Sequence, residues 1–428
     1  MLSSAQAFRV LWLYRYVRLI VNCVSHWTFK PIPLPEKPTL TSKDVTIIIP
    51  TIDGEGPDFQ QTLCTCLSAA PSEIILVTID ANLERLKSTA ALIHSSCIRV
   101  VSVAHANKRR QMCRVLPEVL TKITLFADDD VIWPPRILDW ILAAFEKPDI
   151  GGVGTSQRLR RADCPNIWGF LGALYLERRN FEISATTHID GRVSCLSGRT
   201  VTYCTHILQD LEFTYGFTHE SWLGRYQLNT DDDNFITRWM VSHGWKTYIQ
   251  YCREAELQTT LEDNPRFLKQ CLRWSRSNWR SNLTSMLRER YIWKGFKAIA
   301  NMDPGEKDSS RATLSPPAII GDGLLVFLLI KTTQNWGALS VLLLWMLISK
   351  FVKLLGHFVR YPEDVVLLPV SILFGYFHGF IKVYAFFTLN ITAWGTREGA
   401  DVDDGYRMIP IDKRKQASFS DWRQKLSW

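Results

Sequence analysis

Two acidic triplets carry the chemistry that this chain can do. In TLFADDDVIWPP (124–135), Asp128, Asp129 and Asp130 follow an apolar run; in QLNTDDDNFITRW (227–239), Asp231, Asp232 and Asp233 precede one. Like charges so close raise one another's pKa, so each triplet asks for a partner. At the end of an extended strand, residues i and i+2 point the same way. Asp128 and Asp130 are therefore expected to share one divalent cation, with Asp129 turned aside. Hard oxygen ligands suit Mg2+ or Mn2+, which hold phosphates through a few carboxylates, and the cation keeps those carboxylates ionised at neutral pH. Lys108 and Arg109 would supply charge for the remaining phosphate oxygens. The second triplet heads a helical pattern, FITRWMVSHG (235–244). One carboxylate there is often only a cap, worth about 0.5–2 kcal/mol. Three exceed that need: Asp231 or Asp232 is expected to cap while Asp233 faces the site as a general base. Asp233 and Asp232 are the catalytic candidates of this segment. No glycine-rich phosphate loop occurs, which argues against a kinase or a dinucleotide enzyme.

The elements that position these residues alternate. VTIIIP (45–50), EIILVTI (73–79), IRVVSVA (98–104) and ITLFA (123–127) read as strands, separated by helical patterns at 58–69, 82–95 and 109–120. Continuously apolar strands between helices predict an α/β fold with a parallel sheet covered on both faces. Such sheets bind ligands beyond the carboxyl ends of their strands. Thr51 and Asp53 follow the first strand, Asp80 and Asn82 the second, Asn107, Lys108 and Arg109 the third, and the first triplet the fourth. Four polar strand ends in register predict one site.

The rest of the 428 residues point to a membrane. Hydrophobic residues make up 46% and charged residues 21%, which excludes a disordered chain. Ten cysteines, none beyond Cys271, lack zinc-like spacing, and the Cys64/Cys66 pair reads as helix packing; a reducing, cytosol-facing chain follows. Segments near 315–331, 336–356 and 363–390 are long and apolar, and about 20 such residues span the hydrocarbon. Residues 7–24 are apolar but carry Arg9, Arg15 and Arg18, with Arg15, Arg18 and Asn22 on one helical face, which favours a helix lying in the membrane interface. No cleavage pattern of small residues follows it. The net charge of +8 gathers before the apolar segments, between Arg266 and Lys297, interleaved with Trp274, Trp279 and Trp293. That is the signature of an amphipathic helix on the cytosolic membrane face rather than of nucleic-acid binding.

At this point the ordered motifs resemble the family 2 membrane glycosyltransferases, most closely the hyaluronan synthases and more distantly the chitin and cellulose synthases. ILVTIDAN (75–82) is similar to the nucleotide-contacting D-G-N segment, with Ala81 for glycine. NKRRQM (107–112) is similar to the G-K-R phosphate segment, with Asn107 for glycine, and ADDDV to the D-x-D metal motif. CLSGRTVTY (195–203) resembles the acceptor-lining S-G segment, TDDDNFITR (230–238) the motif of the catalytic base, QCLRW (270–274) the Q-x-x-R-W of an interface helix, and WGTR (394–397) a gating loop. The resemblance implies a GT-A-type domain over 44–258, interface helices over 259–313, transmembrane helices over 314–392 and a gating loop with tail over 393–428, after an N-terminal helix and linker over 1–43. It implies a UDP-sugar donor, with uracil near Asp53 and Asp80 in the pocket of Thr51 and Asn82, and diphosphate near Lys108, Arg109 and the cation. Ser197 and Gly198 would line the acceptor site and Gln270 would belong to it. Arg273 would stabilise the leaving diphosphate, and Trp274 would stack on the acceptor sugar. Trp394, Gly395, Thr396 and Arg397 would close over bound donor; Arg199 has a weaker claim. Direct attack on the anomeric carbon would invert it and extend a β-linked polysaccharide from a cytosolic site at the plasma membrane. The alternative is transfer of one sugar to a lipid such as ceramide or dolichyl phosphate. For the gating loop to reach that site, 363–390 is expected to be re-entrant, interfacial or a tight hairpin, with Gly375 and Gly379 allowing the bend, and the sequons at Asn282 and Asn390 to stay unglycosylated.

Overall fold

In the computed structural model, residues 3–93, 95–161, 166–190, 193, 195–289 and 317–393 are described. The motif WGTR, the tail after it and residues 290–297 of the basic stretch lie outside them.

The strands are β1 (Val45–Pro50), β2 (Glu73–Ile79), β3 (Ile98–Val103), β4 (Ile123–Ala127), β5 (Val131–Ile132), β6 (Ile150–Thr155), β7 (Gln157–Leu159), β8 (Thr200–Cys204), β9 (Ser221–Trp222), β10 (Tyr226–Gln227), β11 (Lys246–Gln250) and β12 (Leu257–Thr259). All six residues of β1 and all five of β4 are buried. Such a run needs cover on both faces, and β1 accordingly sits inside a seven-stranded sheet of order β11-β6-β8-β4-β1-β2-β3. Pairs β1–β2, β1–β4, β2–β3 and β6–β11 are parallel. The sheet is parallel-dominated, as expected, and β8 is its antiparallel member, running against both β4 and β6.

Successive residues of a strand face opposite sides, and the core divides accordingly. Ile47 and Ile49 pack with Phe59 and Leu63 of α2 (Gly56–Ser68), Leu86 of α3 (Leu83–Ala91) and, further along the same face, Ile141 of α5 (Ile137–Ala144). Ile48 faces the other side, with Met112 of α4 (Lys108–Val115), Phe217 of α8 (Leu211–His219) and Ile236 of α9 (Asp232–Ser242). Cys66 is buried in the first layer while Cys64 is exposed, so only one of the pair packs. The described cysteines are free thiols.

A helical layer continues from this domain. It comprises α1 (Ser4–Thr28), α6 (Ile167–Asp190), α10 (Arg266–Leu283), α11 (Ala318–Thr332), α12 (Trp336–Phe351), α13 (Leu355–Arg360) and α14 (Leu368–Phe387), whereas the short α7 (Thr205–Leu208) packs in the sheet domain's core. Helix α10 buries Phe267 and Cys271 against Phe170 and Leu174 of α6 and Ile381 of α14. Two helical stretches, Trp336–Arg360 and Pro362–Phe387, are long and apolar enough to cross a membrane by length and composition. At 1.5 Å per residue the 15 residues of α11 reach only about 22 Å, short of the roughly 30 Å hydrocarbon core.

Two expectations fail here. Residues 368–387 form one unbroken helix rather than a hairpin. Gly379 serves close approach instead of a bend: a Cβ there would lie 3.2 Å from Cβ of Pro317. Arg15, expected to face the polar boundary from α1, turns inward and pairs with Asp322 at 2.6 Å. Asp322 is buried and also accepts from Lys350 (2.8 Å) and the Tyr376 hydroxyl (2.9 Å). Arg15, Asp322 and Lys350 thus offset one another across α1, α11 and α12, with the Tyr376 hydroxyl of α14 beside them, which is how ionisable groups are tolerated away from water.

Candidate active site

The antiparallel strand assembles the site. Because Thr200 of β8 pairs with Ala127 of β4, the chain just before β8 comes alongside the first triplet, and the Asp128 amide donates to the Arg199 carbonyl at 2.9 Å. On the other side, the Thr237 hydroxyl of α9 accepts from the Leu196 amide at 2.9 Å. The Ser197–Gly198–Arg199 segment is thereby held between the two acidic triplets.

Lys108 joins them. It opens α4, whose N-terminus is capped by the Asn107 side chain accepting from the Arg110 amide at 3.0 Å. Its ammonium lies 2.8 Å from Asp128 and 3.0 Å from Asp232. Burial alone would lower this lysine's pKa, but the two carboxylates outweigh it and raise it well above the usual range. Gly198 leaves room for the bridge: a Cβ there would stand 3.2 Å from Oδ2 of Asp232, 3.3 Å from Nζ of Lys108 and 3.7 Å from Cβ of Asp233. A cavity of about 250 Å³ opens at this point, walled by Lys108, Asp128, Ser197, Gly198, Arg199, Asp232, Asp233, Arg273 and Trp274. Asp233, expected as the base, is enclosed here. Burial first, and then Asp232, raise its pKa above the ordinary carboxylate value.

The remaining acids have separate partners. The Asp129 carboxylate accepts from the Thr51 hydroxyl at 2.6 Å, so it is turned toward the end of β1. Thr51 is 1% exposed, and its own oxygen also accepts from the Gly54 amide, which leaves it a support for Asp129 rather than a nucleotide contact. Asp130 accepts from the Thr260 hydroxyl at 2.8 Å. Its enclosure, with Asp128 and Asp129 beside it, pushes its pKa up to about 6. Among the described residues no three His, Cys, Asp or Glu side chains converge as metal ligands. The crowded carboxylates nevertheless fit a hard cation held by one or two of them and completed by phosphate oxygens.

Asp231 corrects the capping expectation. It occupies the N-cap position of α9 at φ +66°, a left-handed conformation that Asp tolerates better than most residues, but its side chain makes no cap bond. Both its oxygens go to Arg280 of α10, at 2.8 and 3.1 Å. Burial would raise this carboxyl, and Arg280 overcomes it to hold the pKa at about 2. Arg280 also donates to the Leu389 and Ile391 carbonyls, both at 3.2 Å. Nothing in the sequence singled it out from the other basic residues of its helix.

Arg109 is the plainest correction among the site residues. It is 1% exposed, and its guanidinium donates to the Thr230 carbonyl (3.1 and 2.7 Å), the Phe217 carbonyl (2.9 Å) and Glu220 (2.8 Å). Neighbouring residues on a helix diverge by about 100° and do not share a face. With Lys108 in the cavity, Arg109 points into the core behind the second triplet, where Arg238 meets the same Glu220.

Trp274 stacks on Tyr175 with ring centroids 4.9 Å apart, and the Arg199 guanidinium sits 5.5 Å above the Trp274 ring. Arg199 is buried, which lowers its pKa against the pull of Asp130 and Asp128. It therefore belongs to the cavity more firmly than its sequence suggested. Arg273, also lowered by burial with Asp231 opposing, lies beside it. Gln270 does not wall the cavity; its Oε1 is enclosed without a partner among the described residues. Asp53, Asp80 and Asn82 lie at the carboxyl edge of β1 and β2 outside the 250 Å³ cavity. Asp53 is exposed with Arg85 3.6 Å away, Asp80 accepts from the Ser102 hydroxyl at 2.5 Å, and Asn82 donates to the Ile52 carbonyl at 2.9 Å. Trp394, Gly395, Thr396 and Arg397 lie outside the described residues.

Comparison with known proteins agrees with this geometry. The description "Glycosyltransferase like family 2" matches residues 43–277. A type 2 glycosyltransferase of Zymoseptoria tritici is 51% identical, over 96% of this chain and 90% of its own. Hyaluronan synthase 3 of Mus musculus is 24% identical over 73% of this chain and 54% of its own, so that likeness is distant and spans about half of the synthase. Among solved structures, the mannosyltransferase PcManGT of Pyrobaculum calidifontis, in complex with GDP-Man and Mn2+, superposes with a TM-score of 0.55 at 14% identity, over 91% of this chain and 99% of that one, a likeness of fold. With its GT-A-like, mostly parallel sheet, the chain belongs to glycosyltransferase family 2.

Proposed function

We propose that this enzyme is an inverting, divalent-metal-dependent glycosyltransferase of the membrane, which moves a sugar from a UDP-sugar to the hydroxyl of a growing β-linked polysaccharide. The observation that carries the reading is the Lys108 bridge. It holds Asp128 of the first triplet and Asp232 of the second in one cavity, next to Asp233. The donor diphosphate would lie over Lys108, Asp128 and Asp130. A divalent cation bound to those two carboxylates would offset charge on the departing diphosphate. Asp233 accepts the proton of the acceptor hydroxyl. Its raised pKa makes it a better base than an exposed aspartate. The freed oxygen attacks the anomeric carbon from the face opposite UDP; the bond from that carbon to the phosphate oxygen breaks, and both electrons leave with UDP. Arg273 supplies fixed positive charge where charge develops on the leaving group, and Trp274, braced by Tyr175, offers an aromatic face to the acceptor sugar. Helices α12 and α14 would anchor the chain with the sugar-transfer domain in the cytosol, at the plasma membrane.

A second reading, transfer of one sugar to a lipid, is favoured by an apolar cavity that adjoins the acceptor side of the site. Product analysis separates the two. Membranes containing the protein are incubated with each labelled UDP-sugar and Mn2+ or Mg2+, and the product is digested with linkage-specific hydrolases. Long, hydrolase-sensitive chains support the polymer reading; a single labelled sugar extracted with lipid overturns it.

A further inference from the structure

The cavity beside Asp233 does not end at the sheet domain. A second cavity, of about 320 Å³, lies between α1, α6, α12 and α14, and the two share Tyr175, Arg178 and His378 as a common wall. The second is lined largely by apolar side chains, among them Leu19, Leu171, Leu174, Leu354, Ile372 and Phe374. The helices around it present apolar outer faces, with Leu343, Leu344, Leu373 and Phe387 exposed.

The wall where the cavities meet is cationic and short of anions. The Arg178 guanidinium lies 5.4 Å over the Tyr175 ring, and among the described residues no carboxylate pairs with it or with Lys382, which lines the first cavity beside it. The nearby acid, Glu182, is taken by Lys353 at 3.0 Å, and Arg179 donates to the Cys195 carbonyl. His378 is 5% exposed, and its Nε2 has no hydrogen-bond partner among the described residues. Enclosed cations that outnumber the one acid they share, Glu182, and a ring nitrogen left unbonded are costly. An anion placed among Arg178, Lys382 and His378 would satisfy all three.

We infer that this junction binds the phosphate of an anionic lipid, with the lipid's hydrocarbon chain in the apolar cavity. The charge pattern selects the headgroup, and the leucine, isoleucine and phenylalanine side chains of the second cavity, among outwardly apolar helices, select a chain-bearing ligand over a free anion. The inference goes beyond the sugar-transfer reading and does not rest on it, since the lipid is recognised whether or not it accepts sugar.

The test uses the full chain in nanodiscs of phosphatidylcholine doped with phosphatidic acid, with retained lipid counted by native mass spectrometry after extraction into neutral detergent. The wild type is expected to retain phosphatidic acid in preference to phosphatidylcholine. Arg178→Gln and Lys382→Met should each weaken that retention about tenfold, the usual worth of one charge-assisted hydrogen bond. Ile372→Trp, which fills the chain cavity and leaves the charges alone, should also weaken it; unchanged UDP binding shows that each variant is folded. Absence of a preference in the wild type, undiminished retention in the folded variants, or displacement of the lipid by millimolar inorganic phosphate would overturn the inference.

Discussion

Arg280→Met removes one half of a buried ion pair on which the second triplet depends. The Arg280 side chain is 2% and that of Asp231 4% exposed, and two short bonds join them. Removing one partner strands the other charge in the interior, a loss of about 3–5 kcal/mol. Against a typical domain stability of about 5–15 kcal/mol, that is a large fraction. Acid titration gives a smaller figure for the same contact. The Asp231 pKa drops from the ordinary carboxylate value of 3.8 to about 2 on folding, which corresponds to roughly 2 kcal/mol. Because the folded pKa is depressed, this stability is present above pH 4 and is lost as pH falls toward 2. The two figures differ because protonation leaves a neutral carboxyl to accept from Arg280, whereas truncation leaves Asp231 charged and alone. The assay is the unfolding midpoint by tryptophan fluorescence in one fixed detergent, for Arg280→Met, Asp231→Asn and the double variant; asparagine tolerates the left-handed backbone at 231. The double variant should lose markedly less than the sum of the singles. Additive losses, or a midpoint unmoved by Arg280→Met, would refute the reasoning.

Other outcomes follow from the same geometry. Gly198→Ala brings a methyl group within 3.2 Å of Asp232 and 3.3 Å of Lys108; it should lower kcat for transfer at least tenfold by roughly 1.4 kcal/mol of displaced contacts, with the unfolding midpoint nearly unchanged. Arg109→Met should cost about 3–5 kcal/mol of stability, yet UDP affinity titrated on the folded fraction should hold, since this guanidinium faces the core. A base whose pKa is raised by burial is protonated sooner as pH falls, so the acid limb of kcat/KM should lie above that of an ordinary aspartate. Asp232→Asn, which removes the second cause of the rise, should shift that limb to lower pH. Chelation should abolish transfer and added Mn2+ or Mg2+ restore it, while the unfolding midpoint moves little.

The sheet was legible because its strands are unmistakable: β1 and β4 are unbroken apolar runs, and the acidic and basic groups sit immediately after them. Local pattern could not supply the partner of each charge. Arg109 sits next to Lys108 in sequence, and only the helical turn beginning there separates their directions. Asp231 sits in a helix-capping position, and the arginine that claims its side chain lies 49 residues onward. β8 carries no mark of direction; its antiparallel course follows from returning through the sheet between β4 and β6, and this is what brings Arg199 to the site. In α14 the glycines suggested a bend, and Gly379 instead admits Pro317. The arginines of α1 suggested a helix lying in the membrane interface, and Arg15 instead reaches Asp322 of α11.

The central claim is that the two acidic triplets divide the work inside one cavity, the first serving the donor's diphosphate and the second the acceptor's proton. Side-by-side measurement of UDP-sugar affinity and single-turnover transfer in Asp128→Asn and Asp233→Asn tests it most directly. The account predicts that Asp128→Asn weakens donor binding, whereas Asp233→Asn binds donor like the wild type and transfers nothing. Transfer at wild-type rate by Asp233→Asn would contradict it.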